Sequence, residues 1–274
     1  MPTAAILTNK TKDTDGKITK KVAKILSKKY DILFSSDYDE DSLHIMYEKS
    51  DVIVVLGGDG TILRSAKYAA KYNTPILGIN LGNLGFMAAA ELSVIDEALD
   101  MFLKGEYDIE KRFMIDACIT RSNKDTKTVT ALNDIVVTRA SYQRMVAFDV
   151  SVNGDHLASY QGDGLVVSTP TGSTAYSMSA GGPVVDPSLD VCIITPVCPH
   201  TMASKPVIVP GNAKIEIRFK STFDDMAMLT ADGQSGIRLS EGDIIKVNGS
   251  QNTIGLIKLS KMSFYNLFHL KLQG

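Results

Sequence analysis

Gly57-Gly58-Asp59-Gly60-Thr61 follows the apolar run Val52 to Leu56 and precedes a segment of helical period that begins near Ile62. Three glycines remove the side chains that would keep a phosphate away from backbone N–H groups, and a helix start adds partial positive charge at that point. Asp59 is the odd member. A carboxylate beside phosphate is repelled unless it binds a metal ion or takes a proton from a hydroxyl, so its place here points to phosphoryl or proton chemistry. The plainer alternative is a tight turn with Asp59 as helix N-cap. The run is not a Walker P-loop, since GxxxxGK[ST] is absent from the chain, and its spacing differs from the Rossmann GxGxxG.

A second cluster joins Gly162-Asp163-Gly164 to Ser168-Thr169-Pro170-Thr171-Gly172-Ser173-Thr174-Ala175-Tyr176 across a short apolar run. Such a turn from strand to helix can offer Thr and Ser hydroxyls, and free helix N-terminal N–H groups, to sugar, amide or phosphate oxygens. A Ser/Thr-capped loop explains the same residues without a ligand. His200 stands without a Ser or Cys nucleophile pattern and reads as a structural histidine. Cys118, Cys192 and Cys198 are an odd, sparse set with no CxxC pair, which excludes a disulfide framework and structural zinc and leaves reduced, mostly buried thiols.

Elements that position these clusters are legible in the periodicity. Over the first hundred residues, short apolar runs (Ala4 to Thr8, Tyr30 to Phe34, Asp51 to Leu56, Pro75 to Ile79) alternate with helical spacings (Ile18 to Leu26, Asp41 to Lys49, Ile62 to Tyr72, Val94 to Lys104). That alternation predicts an open parallel sheet covered by helices over residues 1–106. From Tyr107 onward, β-branched runs broken by turns predict an antiparallel β-rich domain over 107–258. Its runs include Ile115 to Thr120, Val129 to Thr138, Leu165 to Thr169 and Thr253 to Leu259, with Asn153-Gly154 as a hairpin turn and a helix at Ala175 to Ser179.

Composition narrows the function classes. The 274 residues are 44% hydrophobic and 22% charged with a net charge of −2, a globular balance without the basic surface of a general nucleic-acid binder. Apolar runs are far shorter than a membrane span needs, and the N-terminus lacks a signal-peptide pattern, so a cytoplasmic protein is expected.

Several motifs stand in a fixed order: Gly57 to Thr61 with Arg64, Asn80-Leu81-Gly82-Asn83-Leu84-Gly85-Phe86, Leu132-Asn133-Asp134, Gly162 to Gly164, and Ser168 to Tyr176. Ser179-Ala180-Gly181-Gly182-Pro183, Thr195 to His200 and Asp232-Gly233-Gln234 continue the series. Over residues 50–240 the chain thereby resembles the NAD kinase family, whose members phosphorylate NAD to NADP. The resemblance implies an NAD kinase/diacylglycerol kinase-like fold, with an α/β N-terminal domain, a β-rich NAD-binding domain, and NAD bound between the two. Residues 259–274 would return to the first domain.

It also implies roles for particular residues. Asp59 would accept the proton of the adenosine-ribose 2′-hydroxyl, while Gly57, Gly58, Gly60 and Thr61 hold the phosphates of ATP or another donor beside Mg²⁺ or another divalent cation. Arg64 and Arg144 would pair with phosphate, and Phe86 belongs to the second nucleotide-binding motif. Asn133 and Asp134 would hold the NAD ribose, although most members carry Glu at the second position and Asp134 is one methylene shorter. Thr171, Thr174, Ala175, Tyr176 and Ser179 would contact the adenosine and nicotinamide halves. Asp163 would reach the nicotinamide end, Cys198 would line it, and Gln234 would bind substrate amides. Gln161 stands where many relatives carry a basic residue. Homodimers or homotetramers are implied, with neither nucleic acid nor membrane as partner. Two rivals stay open at this point: a related lipid or sugar kinase that shares the glycine motif, and a non-catalytic NAD or NADP sensor that keeps the binding residues.

Overall fold

The computed structural model describes residues 1–34, 40–82, 85–121, 124–140, 145–200, 204–220, 227–234, 236–259 and 262–272. In chain order the first elements are β1 (Thr3–Thr8), α1 (Lys17–Leu26), β2 (Asp31–Phe34), α2 (Glu40–Glu48), β3 (Val52–Gly57), α3 (Asp59–Tyr72), β4 (Ile76–Asn80), β5 (Ala90–Glu91), α4 (Ile95–Lys104) and β6 (Asp108–Arg112). There follow β7 (Ile115–Arg121), β8 (Lys124–Ala131), β9 (Asp134–Arg139), β10 (Val146–Val152), β11 (Asp155–Gly162), β12 (Gly164–Ser168), α5 (Tyr176–Ser179), β13 (Val191–Val197), β14 (Val207–Pro210), β15 (Ile215–Lys220), β16 (Ala227–Ala231), β17 (Ile237–Leu239), β18 (Ile244–Gly249), β19 (Ile254–Lys258) and α6 (Phe264–Leu272). The chain forms two compact units, one of Met1–Arg112 with Asn252–Gly274 and one of Phe113–Gln251.

In the first unit a seven-stranded sheet runs β2-β1-β3-β4-β19-β6, with β5 beside β4. Every residue of β3 and β4 is buried, which suits strands covered on both faces and explains the unbroken Val-Ile-Val-Val-Leu run. Helices α1 and α4 pack their apolar stripes on one face, around Ile6, Val54, Leu56, Leu99 and Phe102. On α3, Ile62 closes over Gly78 of β4, where any Cβ would collide with its side chain. The sheet is mixed rather than purely parallel, because β6 pairs antiparallel with β19.

The sequence pattern assigns Thr253 to Leu259 to the β-rich domain. The structure instead pairs this run, as β19, parallel to β4 and antiparallel to β6 in the first sheet. Period-2 patterning reports that a strand exists but not which sheet accepts it, so this assignment was out of reach of periodicity. Phe264 and Phe268 of α6 also lie in the first unit and stack near Phe86.

The second unit is a sandwich of two six-stranded sheets, β11-β10-β15-β18-β7-β8 and β14-β13-β12-β9-β16-β17. Their inner faces interdigitate in one core that includes Ile119, Phe148, Ile217 and Val247 from one sheet and Val137, Leu165, Ile194 and Leu229 from the other. The single run read from Val129 to Thr138 is two strands, β8 and β9, and they lie in different sheets. The break has a physical cause: the Asp232 carboxylate captures the N–H groups of Leu132, Asn133 and Asp134, which turns the chain from one sheet to the other. The Asn153-Gly154 turn has positive φ at both residues (53° and 91°), as a type I′ hairpin between β10 and β11 requires.

Leu256 is fully buried at the centre of β19 and pairs with Ile76. Leu256→Ala should therefore lower the stability of the first unit by about 2–5 kcal/mol, read as an earlier loss of helical circular dichroism in urea. An unchanged helix transition would show that β19 does not close this sheet.

Candidate active site

Glycines end β3, and a helix starts at once. Gly58 is the N-cap of α3 with extended backbone, and Asp59 is its first residue, so the helix begins three residues earlier than the Ile62 expected from periodicity. Gly57 is required sterically, since a Cβ there would overlap the side chain of Thr61, which is itself buried. A Cβ on Gly60 would meet nothing within 4 Å, so packing does not explain that glycine, whereas an approaching ligand would. Arg64 lies exposed on the next turn of α3.

Asp59 does not cap its own helix. Its Oδ2 accepts the Phe86 N–H at 2.7 Å and its Oδ1 the Met87 N–H at 3.2 Å, which ties the 85–89 segment across the mouth of the glycine turn. A side chain on Gly85 would run into that carboxylate, so only glycine lets the backbone lie over Asp59. Two donors use one lone pair on each oxygen and leave others open to a third partner. The Phe86 ring is fixed in turn by Phe264 (6.1 Å between centroids), by Phe268 (6.4 Å) and by Lys271 Nζ 5.0 Å above it. Asn83 and Leu84 of the same motif lie outside the described residues, as does Arg144.

Strand order reverses at β1 and β3, which is where open α/β sheets bind ligands beyond the carboxyl ends of their strands. The loop after β1 brings Lys12 to this place. Its Nζ would stand 3.5 Å from a Cβ on Gly58 and 3.0 Å from one on Gly82. Asn80, at the end of β4, turns its Oδ1 back to the Gly82 N–H at 2.9 Å.

In the second unit the cluster forms on the outer face of the β14–β17 sheet. Asp134 of β9 and Ser168 of β12 are directly paired in register, beside an apolar patch of Val136, Val166 and Val197. Asn133 Oδ1 and Ser168 Oγ are buried without a hydrogen-bond partner. An orphaned buried polar atom costs about 1–3 kcal/mol, and two of them flanking one carboxylate mark a place built for a polar ligand. Burial pushes the Asp134 carboxyl up to about 7, helped by the nearby Asp232 charge. Burial likewise raises Asp232, against the lowering effect of its three backbone N–H donors. Near neutrality Asp134 can thus donate as well as accept a hydrogen bond.

The threonine-rich turn holds itself together with most of its hydroxyls. Thr169 donates to Leu132 O at 2.5 Å and accepts the Gly172 N–H, while Ser173 donates to Pro170 O at 2.6 Å and accepts the Val185 N–H. Thr174 donates to Thr171 O at 3.3 Å. Gly172 crosses directly over the Asn133 backbone, where a Cβ would not fit. The helix expected over Ala175 to Ser179 is present as the four residues of α5, directly after a 3-10 turn over Thr171–Thr174, and it is too short to offer an extended helix N-terminus to an anion.

Tyr176 and Ser179 project outward from that turn, with Tyr176 41% exposed. Asp163 is engaged by Arg139, Nε to Oδ1 at 3.2 Å, so part of its acceptor capacity is already used. Gln161 is exposed, and its carbonyl accepts the His200 N–H. Cys198, expected as a buried thiol, is exposed on a left-handed turn (φ 45°), and only Cys192 of the three cysteines is buried. Gln234 follows the left-handed pair Asp232-Gly233 and donates its N–H to Ala231 O.

Sequence reading assigns no role to Lys12, Asp232 or the two α6 phenylalanines, and it includes Ser168 only within the threonine-rich cluster. For Asp232 the available signal is its Asp-Gly turn beside Gln234. Lys12 had one too, a basic residue in the loop after the first parallel strand.

An α/β unit with a glycine turn and a carboxylate at its switch point, joined in one chain to a β-sandwich with an unsatisfied polar cluster, is the architecture of a nucleotide-handling enzyme. Residues 4–107 match the family described as ATP-NAD kinase N-terminal domain, and residues 132–259 match ATP-NAD kinase C-terminal domain. The chain belongs to the NAD kinase family. It is 40% identical to an NAD kinase of Natranaerobius thermophilus, over 100% of this chain and 99% of that one. It is 48% identical to one from Moorella thermoacetica, over 81% of this chain and 70% of the other. Among solved structures it resembles an Archaeoglobus fulgidus NAD kinase in complex with ATP (30% identity, TM-score 0.76, 97% of each chain covered). It also shares the fold of a yeast NADH kinase complexed with NADH (22% identity, TM-score 0.87, 100% of this chain and 88% of that one).

The Asp134 carboxyl carries a stability prediction. Its folded value of about 7 lies above the ordinary 3.8, so the folded state holds a proton that the unfolded state releases, and stability falls as pH rises between those values. Asp134→Asn should melt several degrees above the unsubstituted protein at pH 8 and show a smaller gain at pH 5, by calorimetry without ligand. Equal differences at both pH values would contradict the buried, proton-sharing state.

Proposed function

We propose that the protein is an enzyme, an NAD kinase, that transfers the γ-phosphoryl group of ATP to the 2′-hydroxyl of the adenosine ribose of NAD and releases NADP and ADP. The observation that carries this reading is Asp59, a carboxylate fixed beside a glycine turn in a place otherwise suited to phosphate. An alcohol is a poor nucleophile near neutral pH. As its oxygen bonds to the γ-phosphorus, the bridge to the β-phosphate breaks and the hydroxyl proton passes to Asp59. Backbone N–H groups of the Gly57–Gly60 turn steady the donor phosphates, and most of the rate comes from alignment and charge neutralisation.

Mg²⁺ or another divalent cation suits this site as part of the nucleotide. Among the described residues no group of three or more His, Cys, Asp or Glu side chains could hold a metal, and Mg²⁺ commonly binds one or two carboxylates together with substrate phosphates. Asp59 is the carboxylate available to it, and the ion would supply charge neutralisation at the transferred group. In the second unit, Asn133, Asp134 and Ser168 offer the ribose hydroxyls a matched set of acceptors and donors. Tyr176 offers a ring face for stacking, and Asp163 keeps one oxygen for the carboxamide end. Thr171, Ala175, Ser179, Cys198 and Gln234 border the same surface in our reading.

We further take the enzyme to work in the cytoplasm as a homodimer or homotetramer. The exposed Met178, Leu189 and Ile208 would contribute apolar area to a subunit contact. No helix among the described residues is long and apolar enough to cross a membrane.

Asp59→Asn should lower kcat for NADP formation at least about a hundredfold while leaving the Kd for NAD within about tenfold. Turnover near that of the unsubstituted protein would remove Asp59 from the mechanism. Tight NAD binding without any turnover, by folded unsubstituted protein, would favour a sensor.

A further inference from the structure

We infer that Lys12 is a donor-phosphate anchor, the cation that fixes the triphosphate of ATP over the glycine turn. The inference rests on the kinase reading above but uses observations of its own. Lys12 is carried on a loop that is fastened to the strand it serves: the Asn9 N–H donates to Leu56 O at 2.8 Å, one residue before Gly57. The turn is then closed by Lys12 N–H to Asn9 O at 2.9 Å and Asp13 N–H to Asn9 O at 3.2 Å, with Asn9 Oδ1 accepting the Thr11 N–H. The loop leaves β1 and the glycine turn leaves β3, so the two meet where the strand order reverses.

The amine comes to rest beside two glycines from different loops, Gly58 and Gly82. A side chain on Gly82 would press on it at 3.0 Å. Among the described residues, neither carboxylate of its own loop neutralises it. Asp13 is turned inward, with its oxygens on the Ile18 and Thr19 N–H groups and the Thr19 hydroxyl, and Asp15 pairs with Lys17. A flexible point charge over a backbone N–H cradle is what a polyphosphate needs, and lysine serves that role without the planar geometry arginine demands. Asp59, on the same turn, would otherwise leave the local charge unfavourable to a triphosphate.

The test is steady-state kinetics at saturating NAD with varied Mg-ATP for Lys12→Ala and Lys12→Arg, together with calorimetric binding of ATP, of inorganic tripolyphosphate and of NAD. Lys12→Ala should raise KM for ATP at least tenfold and weaken ATP and tripolyphosphate binding by a similar factor, with Kd for NAD and the melting temperature unchanged. Lys12→Arg should recover most of the loss, which a purely structural role for the loop would not predict. ATP affinity of Lys12→Ala within twofold of the unsubstituted protein would overturn the inference, as would an equal loss of NAD affinity. If the unsubstituted protein makes no NADP, the kinase reading fails, while the ATP and tripolyphosphate titrations still decide the role of Lys12. Failure of the unsubstituted protein to bind either would overturn it.

Discussion

The first unit is organised around one carboxylate that does two jobs. Asp59 stands at the start of a helix, yet it spends a lone pair of each oxygen on the N–H groups of Phe86 and Met87. That fixes its direction and clamps a second loop over the glycine turn. The constraint propagates outward. Gly85 must be glycine because the backbone passes directly over the carboxylate, and the ring of Phe86 must be held for the N–H to stay aimed. The ring is packed by residues nearly two hundred positions further along the chain, Phe264 and Phe268, so the segment that returns to the first unit after the β-sandwich also braces this loop. A carboxylate so tethered gives up freedom to gain position, a trade that favours chemistry in which alignment dominates.

Asp232 plays the corresponding part in the second unit. By accepting three consecutive backbone N–H groups it ends β8, starts β9 in the other sheet, and leaves Asn133 and Asp134 on the outer surface of the sandwich. Burial, and after it the Asp232 charge, raises the Asp134 value there, and buried oxygens of Asn133 and Ser168 stand beside it without partners. Well-packed interiors rarely tolerate such atoms, so two of them beside Asp134 single out this surface among the described residues of the second unit. The threonine-rich turn contributes mainly stiffness, since Thr169 and Ser173 satisfy buried backbone groups.

Much of this was legible in the sequence, and the failures have definite causes. β3 announced itself by five consecutive apolar residues, and the glycine turn after it by composition, because both are local. The ordered motifs were enough to identify the family. Thr253 to Leu259 was assigned to the wrong sheet because strand periodicity carries no information on which strand lies alongside. Val129 to Thr138 was read as continuous because the residue that breaks it, Asp232, is a hundred positions away. Cys198 was expected to be buried because a thiol is usually packed inside, but its left-handed backbone places it on an exposed turn. Lys12 carries only a weak local signal, a basic residue in the loop after the first parallel strand among several lysines, and it is the sheet order that brings it to Gly58.

If the tether on Asp59 is the constraint that makes the site work, a single methyl group at residue 85 is the most direct probe. NADP formation by Gly85→Ala should be measured beside its NAD affinity and melting temperature. Because the added Cβ occupies the space of the Asp59 carboxylate, turnover should fall by at least two orders of magnitude while NAD affinity stays within severalfold and the protein stays folded. A Gly85→Ala protein that turns over as fast as the unsubstituted one would contradict the view that the position of this carboxylate governs the reaction.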